Sequence, residues 1–333
     1  MKPELAKAVQ IFKLVFSLFL LGAATYFFIN NRIELLDSVK VVSKVQPSYL
    51  LLALCCMLMH NFAQAKALQQ SYLCVNKFLP MPESLRVYLK RFFVSPVIPG
   101  GFSVAQYTFA SDLHRLKLST AESAFASSVF VLGSLASFII LLVPTYFVGL
   151  WSNNVSERAL IASVDIIILG LILTLGTGYL FRKPIISKVK RWLEPYLTDT
   201  VFKPIERVII TCLAIDLTGV LILWLSIMAF GLHISLANTL LAYVVAMLVT
   251  SLSPFFSGLL VVEGALVYVL TQSGVSGGGA VAAVVVFRFF HFWIPLLIGG
   301  LVYIWDLRKH LPPSALSFLT REEVQQPSNH QER

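Results

Sequence analysis

The 333 residues are 57% hydrophobic and only 13% charged, with a mean hydropathy of +0.79. A soluble domain carries roughly 25% charged residues, so this chain lacks the polar surface that a water-soluble fold of its size needs. The net charge of +9 therefore bears on membrane orientation, not on nucleic acid, for which no basic-aromatic module is present.

A spanning helix needs about 20 apolar residues, and hydropathy predicts full spans at about 11–30, 48–67, 121–150, 159–181, 207–231 and 280–305. Lys2 and Lys7 stand ahead of the first span and Lys13 at its start, before the apolar run from Leu14 to Ile29, placed to snorkel to the surface. Gly22-Ala23-Ala24 has the small residues of a signal-peptide cleavage site. The apolar run continues through Tyr26-Phe27-Phe28-Ile29, however, which favours an uncleaved span. The second span carries His60-Asn61 and Gln64 at helical spacing, a stripe that joins helices by hydrogen bonds. Cys55, Cys56, Cys74 and Cys212 form no CxxC pair and have no His at metal-ligand spacing. They read as small hydrophobes.

Two regions are apolar but broken. The first, 92–110, contains Pro96 and Pro99-Gly100-Gly101. In the second, 236–272, two apolar arms flank Ser253-Pro254 and Gly258. Proline removes a backbone donor and glycine tolerates unusual dihedrals, so each break needs protein or water to satisfy its freed backbone groups. Either region fits a re-entrant hairpin or a kinked pair of spans. At an offset of 158 the two breaks share Ser95/Ser253, Pro96/Pro254, Gly100/Gly258 and Val104/Val262.

With a cytoplasmic N-terminus and re-entrant breaks, 20 of the 26 Lys and Arg fall on the cytoplasmic side. Arg86, Lys90 and Arg91 are among them, and seven more lie in the 182–207 loop. Only Arg32, Lys40, Lys44 and Arg158 fall outside, while Lys13 and Arg288 lie within spans. This bias predicts an inner (plasma) membrane protein with both termini cytoplasmic. It also makes the two breaks enter from opposite sides, the arrangement of an inverted-topology repeat. The 182–206 loop, with Trp192 and Tyr196 among its basic residues, reads as a positive-inside loop or an interfacial helix. The expected fold is an all-α polytopic membrane protein with about six full spans and two Pro/Gly-broken helical regions. Residues 1–310 form its membrane domain, and 311–333 a polar cytoplasmic tail.

A charge near the bilayer centre costs on the order of 2.5–3.5 kcal/mol on insertion scales, so each one marks a candidate site. Asp165, Asp216, Glu263 and Arg288 qualify, with His60 and His291 as titratable neighbours. Glu263 follows the second break, and His291 lies one turn beyond Arg288 on the same face. An ion pair between Glu263 and Arg288 would offset much of both insertion costs, as a helix lock, a working site or both. Asp165 and Asp216 read as structural. No GxSxG, HExxH, P-loop or dinucleotide fingerprint occurs, and Gly277-Gly278-Gly279 has no adjacent Lys-Ser/Thr to cradle phosphate. No catalytic group, metal or cofactor is expected.

Segment 251–303 resembles the second signature of the lysylphosphatidylglycerol synthase transmembrane region, or flippase-like, family. The corresponding residues are Ser253-Pro254, Gly258, Glu263, Gly274-Val275-Ser276, Ala280 to Ala283, Arg288, and Pro295 with Gly299-Gly300. Segment 95–125 resembles the first signature through Pro99-Gly100-Gly101, Leu118-Ser119-Thr120 and Ala124. The chain departs from the pattern at Phe256-Ser257, at Gln106, and at Val129-Phe130-Val131, where the family often has Glu-Arg. The resemblance implies an integral membrane domain that moves lipids between leaflets. In the synthases this domain precedes a soluble aminoacyl transferase, which these 333 residues do not contain.

The leading expectation is thus a lipid translocator for an anionic or phosphate-bearing head group. Arg288, Glu263, Gly258, Pro254, Ser253, His291, Gly100 and Gly101 would line its binding site. Its partners would be the membrane lipid and a separate transferase or a second copy, with no nucleic acid. The alternatives are a membrane subunit of a lipid-modifying (aminoacyl or glycosyl) transferase system and a structural scaffold.

Overall fold

Long apolar runs with helix-forming spacing become helices here, and every described element is helical. The computed structural model describes residues 45–96, 119–150, 194, 196, 201–252 and 261–310. The expected spans 11–30 and 159–181, Asp165, the loop around Trp192 and the tail 311–333 lie outside these residues. So do Gly100, Gly101, Ser253, Pro254 and Gly258.

Helix α1 (Pro47–Leu73) starts on a proline, whose missing N–H costs nothing at a helix start. It ends where Asn76 takes a φ of 55° and the N–H groups of Asn76 and Lys77 close back onto Leu73 and Tyr72 carbonyls. That is a Schellman stop with Asn in the left-handed position. Helix α2 (Met81–Val94) follows, then α3 (Thr120–Leu150). Ser119 and Glu122 form a capping box at the start of α3, with the Ser119 N–H donating to Glu122 Oε2 at 2.7 Å and the Glu122 N–H to Ser119 Oγ at 3.2 Å. Helix α4 (Phe202–Met228) is followed by two short helices, α5 (Leu236–Leu252) and α6 (Val261–Gln272). Finally α7 (Gly277–Arg288), a π-helical turn (Phe289–Trp293) and α8 (Ile294–His310) run as one continuous rod.

Four of these helical segments are long and apolar enough to cross a membrane: Pro47–Leu73, Ala121–Phe147, Phe202–Met228 and Gly277–Asp306. They coincide with the expected spans 48–67, 121–150, 207–231 and 280–305. Helices α5 and α6 pack on each other as the two arms of the second broken region. At 17 and 12 residues they measure about 26 and 18 Å, short of the ~30 Å hydrocarbon core.

The frame is an antiparallel pair, α1 against α4. The Gln46 N–H donates to the Ala229 carbonyl at 2.8 Å at one end, and His60 meets Ile215 and Thr218 further along. One core lies where the start of α1 and the end of α4 meet α5, α6 and α7, around Leu223, Leu266 and Leu270. A second lies between the end of α1, α2, α3 and the start of α4, around Leu68, Tyr72 and Val208. In lipid the tails are as apolar as these side chains, so close packing and polar links hold helices together.

One polar link adds to the sequence reading. Arg86, Lys90 and Arg91 sit on a helix packed against α8, and Lys90 and Arg91 are buried. Lys90 Nζ donates to Asp306 Oδ2 at 2.7 Å, Arg86 pairs with the same carboxylate, and Arg91 Nη2 donates to the Tyr72 hydroxyl at 2.9 Å. No local sequence pattern marks these three cations for burial. Burial becomes affordable here because each cation meets an acceptor. Gly299 permits the contact, since a Cβ there would collide with the Leu89 carbonyl oxygen of α2.

Candidate functional site

The site is built on the hairpin of α6 and α7. Its turn is set by Gly274, which holds a φ of 90°, a conformation that favours glycine. The Gly274 N–H closes on the Thr271 carbonyl and the Val275 N–H on the Leu270 carbonyl, each at 3.1 Å, and Val275 and Leu270 are both buried in the first core. Gly-Val-Ser is therefore a Schellman stop with its hydrophobic contact, followed directly by the next helix.

The hairpin brings Glu263, in the first turn of α6, to Arg288, the last residue of α7. Glu263 Oε1 lies 2.6 Å from Arg288 Nε, with the two side chains 25% and 8% exposed, so the expected ion pair is present and mostly withdrawn from the surface. The Arg288 Nε–H is not aligned on the carboxylate as a hydrogen bond, so the contact is one of charge. Glu263 Oε2 and Arg288 Nη2 are buried and have no hydrogen-bond partner among the described residues. The guanidinium also lies 5.6 Å from the Phe292 ring centre, within cation–π range. Phe292 in turn touches Phe92 of α2 with ring centres 5.8 Å apart.

Directly after Arg288 the helix widens into the π turn, with the Ile294 N–H closing on the Phe289 carbonyl. The sequence reading missed this turn. Its signal is Pro295, which lacks an N–H and whose ring would clash with the carbonyl of His291 in a regular α-helix. Turns of this kind are frequent at functional sites. His291 lies in it, stacked on Phe287 with centres 4.9 Å apart, edge-on to Tyr243 at 6.5 Å and tilted against His60 at 4.8 Å. Its Nε2 is buried without a hydrogen-bond partner among the described residues.

His60 joins α1 to α4, as the polar stripe predicts. Its Nδ1 is 3.1 Å from both the Ile215 carbonyl and Thr218 Oγ1. The Thr218 hydroxyl spends its own proton on the Ala214 or Ile215 carbonyl, so His60 Nδ1 carries the hydrogen and donates. His60 Nε2 then accepts from the Gln64 amide at 3.5 Å. Asn61 instead turns back to the Met57 carbonyl of its own helix at 2.8 Å. Asp216 has the partner that the sequence did not reveal: Ser137 of α3 donates to its Oδ2 at 2.5 Å.

Of the predicted site residues, the structure brings together Glu263, Arg288 and His291. Ser253, Pro254, Gly258, Gly100 and Gly101 fall outside the described residues. Among the described residues, no three His, Cys, Asp or Glu gather closely enough to hold a metal ion. The arrangement offers a buried cation, a carboxylate neutralising it, and a neighbouring imidazole, which suits binding and release of an anion.

No curated protein matches this sequence. The family model for the lysylphosphatidylglycerol synthase TM region matches residues 10–299, most of the chain. With that match, and with four long apolar helical segments among the described residues, the chain belongs to the lysylphosphatidylglycerol synthase TM region family.

Proposed function

We propose that the chain is a lipid translocator of the inner membrane, moving a lipid with an anionic or phosphate-bearing head group, and that Arg288 holds that head group. The observation carrying this reading is the Glu263–Arg288 pair, its arginine buried and its glutamate partly covered, with one buried oxygen and one buried nitrogen left without a hydrogen bond among the described residues. A purely structural lock would be expected to use both arms of the fork, because a buried donor or acceptor without a partner costs about 1–3 kcal/mol. Guanidinium is suited to two-pronged contact with phosphate.

In the empty site Glu263 neutralises Arg288. An arriving phosphate competes for the guanidinium and releases the carboxylate, so occupancy is linked to the contact between α6 and α7. Glu263 lies about 15 Å before the 273–276 turn and Arg288 about 18 Å after it. With that turn at one interface, the pair stands near the midplane of a ~30 Å core, where transporters bind their substrates. The first half has Val129-Phe130-Val131 where the family often has Glu-Arg, while the second half keeps Glu263 and Arg288, which favours a site centred on α6 and α7. Vesicles carrying wild type, Arg288→Ala or Glu263→Gln, assayed for head-group accessibility from outside, test the assignment.

A further inference from the structure

The Arg288–Glu263 pair is neutral as a unit. A phosphate drawn onto Arg288 adds one negative charge to a buried place, and an uncompensated buried charge is costly. A proton is the smallest charge that balances it.

The groups facing His291 are few among the described residues. His60 approaches from α1 with Gln64 behind it, and Tyr243 from α5, itself within the field of Asp216 on α4. Arg288 adjoins it on its own rod, with Glu263 of α6 beyond. Both nitrogens of His60 are committed, Nδ1 to Ile215 and Thr218 and Nε2 to Gln64. His291 Nε2 is buried and uncommitted. Arg288 has no accessible neutral form, and Glu263 is the counterion that must return to it when the lipid leaves; the uncommitted imidazole beside them is the group free to take the proton.

Resting on the lipid reading above, we propose that the chain carries a proton together with each anionic head group, the proton held on His291 Nε2 while Arg288 holds the phosphate. The proton comes from water on the entry side and adds to the Nε2 lone pair, with no covalent bond of the protein broken. It returns to water on the exit side. Once protonated, Nε2–H becomes a second donor for a phosphate oxygen. The loaded site then holds two cations, Arg288 and His291, against two anions, Glu263 and the phosphate. The empty site holds neutral His291 and the Arg288–Glu263 pair. Both states are electrically neutral, so a singly charged lipid crosses with its proton and without net charge.

The test uses the full chain in vesicles holding a fluorescent phosphatidylglycerol in one leaflet and a pH dye in the lumen. Wild type should move about one proton per lipid. Acidifying the entry side should speed transfer by up to about tenfold per pH unit, and an imposed potential of about 100 mV should leave the rate unchanged. His291→Gln should move lipid more slowly, without protons and with a flat pH response. If wild type moves lipid with no proton counted, or responds to potential and not to pH, the proposal fails and the lipid reading stands. If wild type moves no lipid under any condition, both fail. Because the proton count is made on wild type, a misfolded variant leaves the decision intact.

Discussion

Lys90 Nζ meets Asp306 Oδ2 at 2.7 Å across 216 positions of sequence, and so fastens α2 to the end of α8. Arg86 shares the carboxylate, and Glu83 lies 3.9 Å from Arg86 one turn away. Asp306 is the hub, since it serves two cations.

Asp306→Asn should therefore destabilise the protein more than Lys90→Met. Removing the hub leaves two cations around a neutral amide, at a cost of about 3–5 kcal/mol for a broken buried pair. Removing Lys90 leaves Arg86 in place. Thermal unfolding in detergent reads the order, and equal midpoints for the two variants would contradict it.

Gly299 and Gly264 make a matched pair. A Cβ at Gly299 meets the Leu89 backbone, which has no flexible end to move, whereas a Cβ at Gly264 meets nothing within 4 Å. Gly299→Ala should cost about 1–3 kcal/mol through a forced helix shift. Gly264→Ala should be neutral or stabilising by up to about 1 kcal/mol through helix propensity. The same unfolding assay compares them, and an equal loss at both positions would contradict the close approach of α2 and α8.

Ser137→Ala removes the donor to Asp216 Oδ2. A buried carboxylate that loses its partner should cost about 1–3 kcal/mol. Ser137→Ala combined with Asp216→Leu should recover part of that loss, because no orphaned charge remains. If the single variant unfolds at the wild-type midpoint, Ser137 is not the partner that matters.

Much of the fold was legible because the signals are local. Spans show as apolar length, the second broken region as two short arms around Ser253-Pro254, and Glu263 and Arg288 as rare charges within apolar runs. Their pairing could be inferred because each needs a partner in lipid and they flank one hairpin turn. The α2–α8 node was hidden, since no local signal marks Lys90 and Arg91 for burial. The capping box at Ser119 and the π turn before Pro295 have sequence signals that went unused. The tie of His60 to Ile215 and Thr218 depends on the α1–α4 register, which no local pattern encodes.

The Glu263–Arg288 pair is the centre of the proposed working site. The most direct measurement is the rate at which a phosphate-bearing fluorescent lipid becomes accessible at the outer face of vesicles. Wild type, Arg288→Ala and Glu263→Gln should be compared at matched protein content and confirmed folding. Arg288→Ala should slow transfer at least tenfold, equivalent to about 1.4 kcal/mol or more. Glu263→Gln should also slow it, because the freed cation retains its lipid. Equal rates for all three folded proteins would contradict the account.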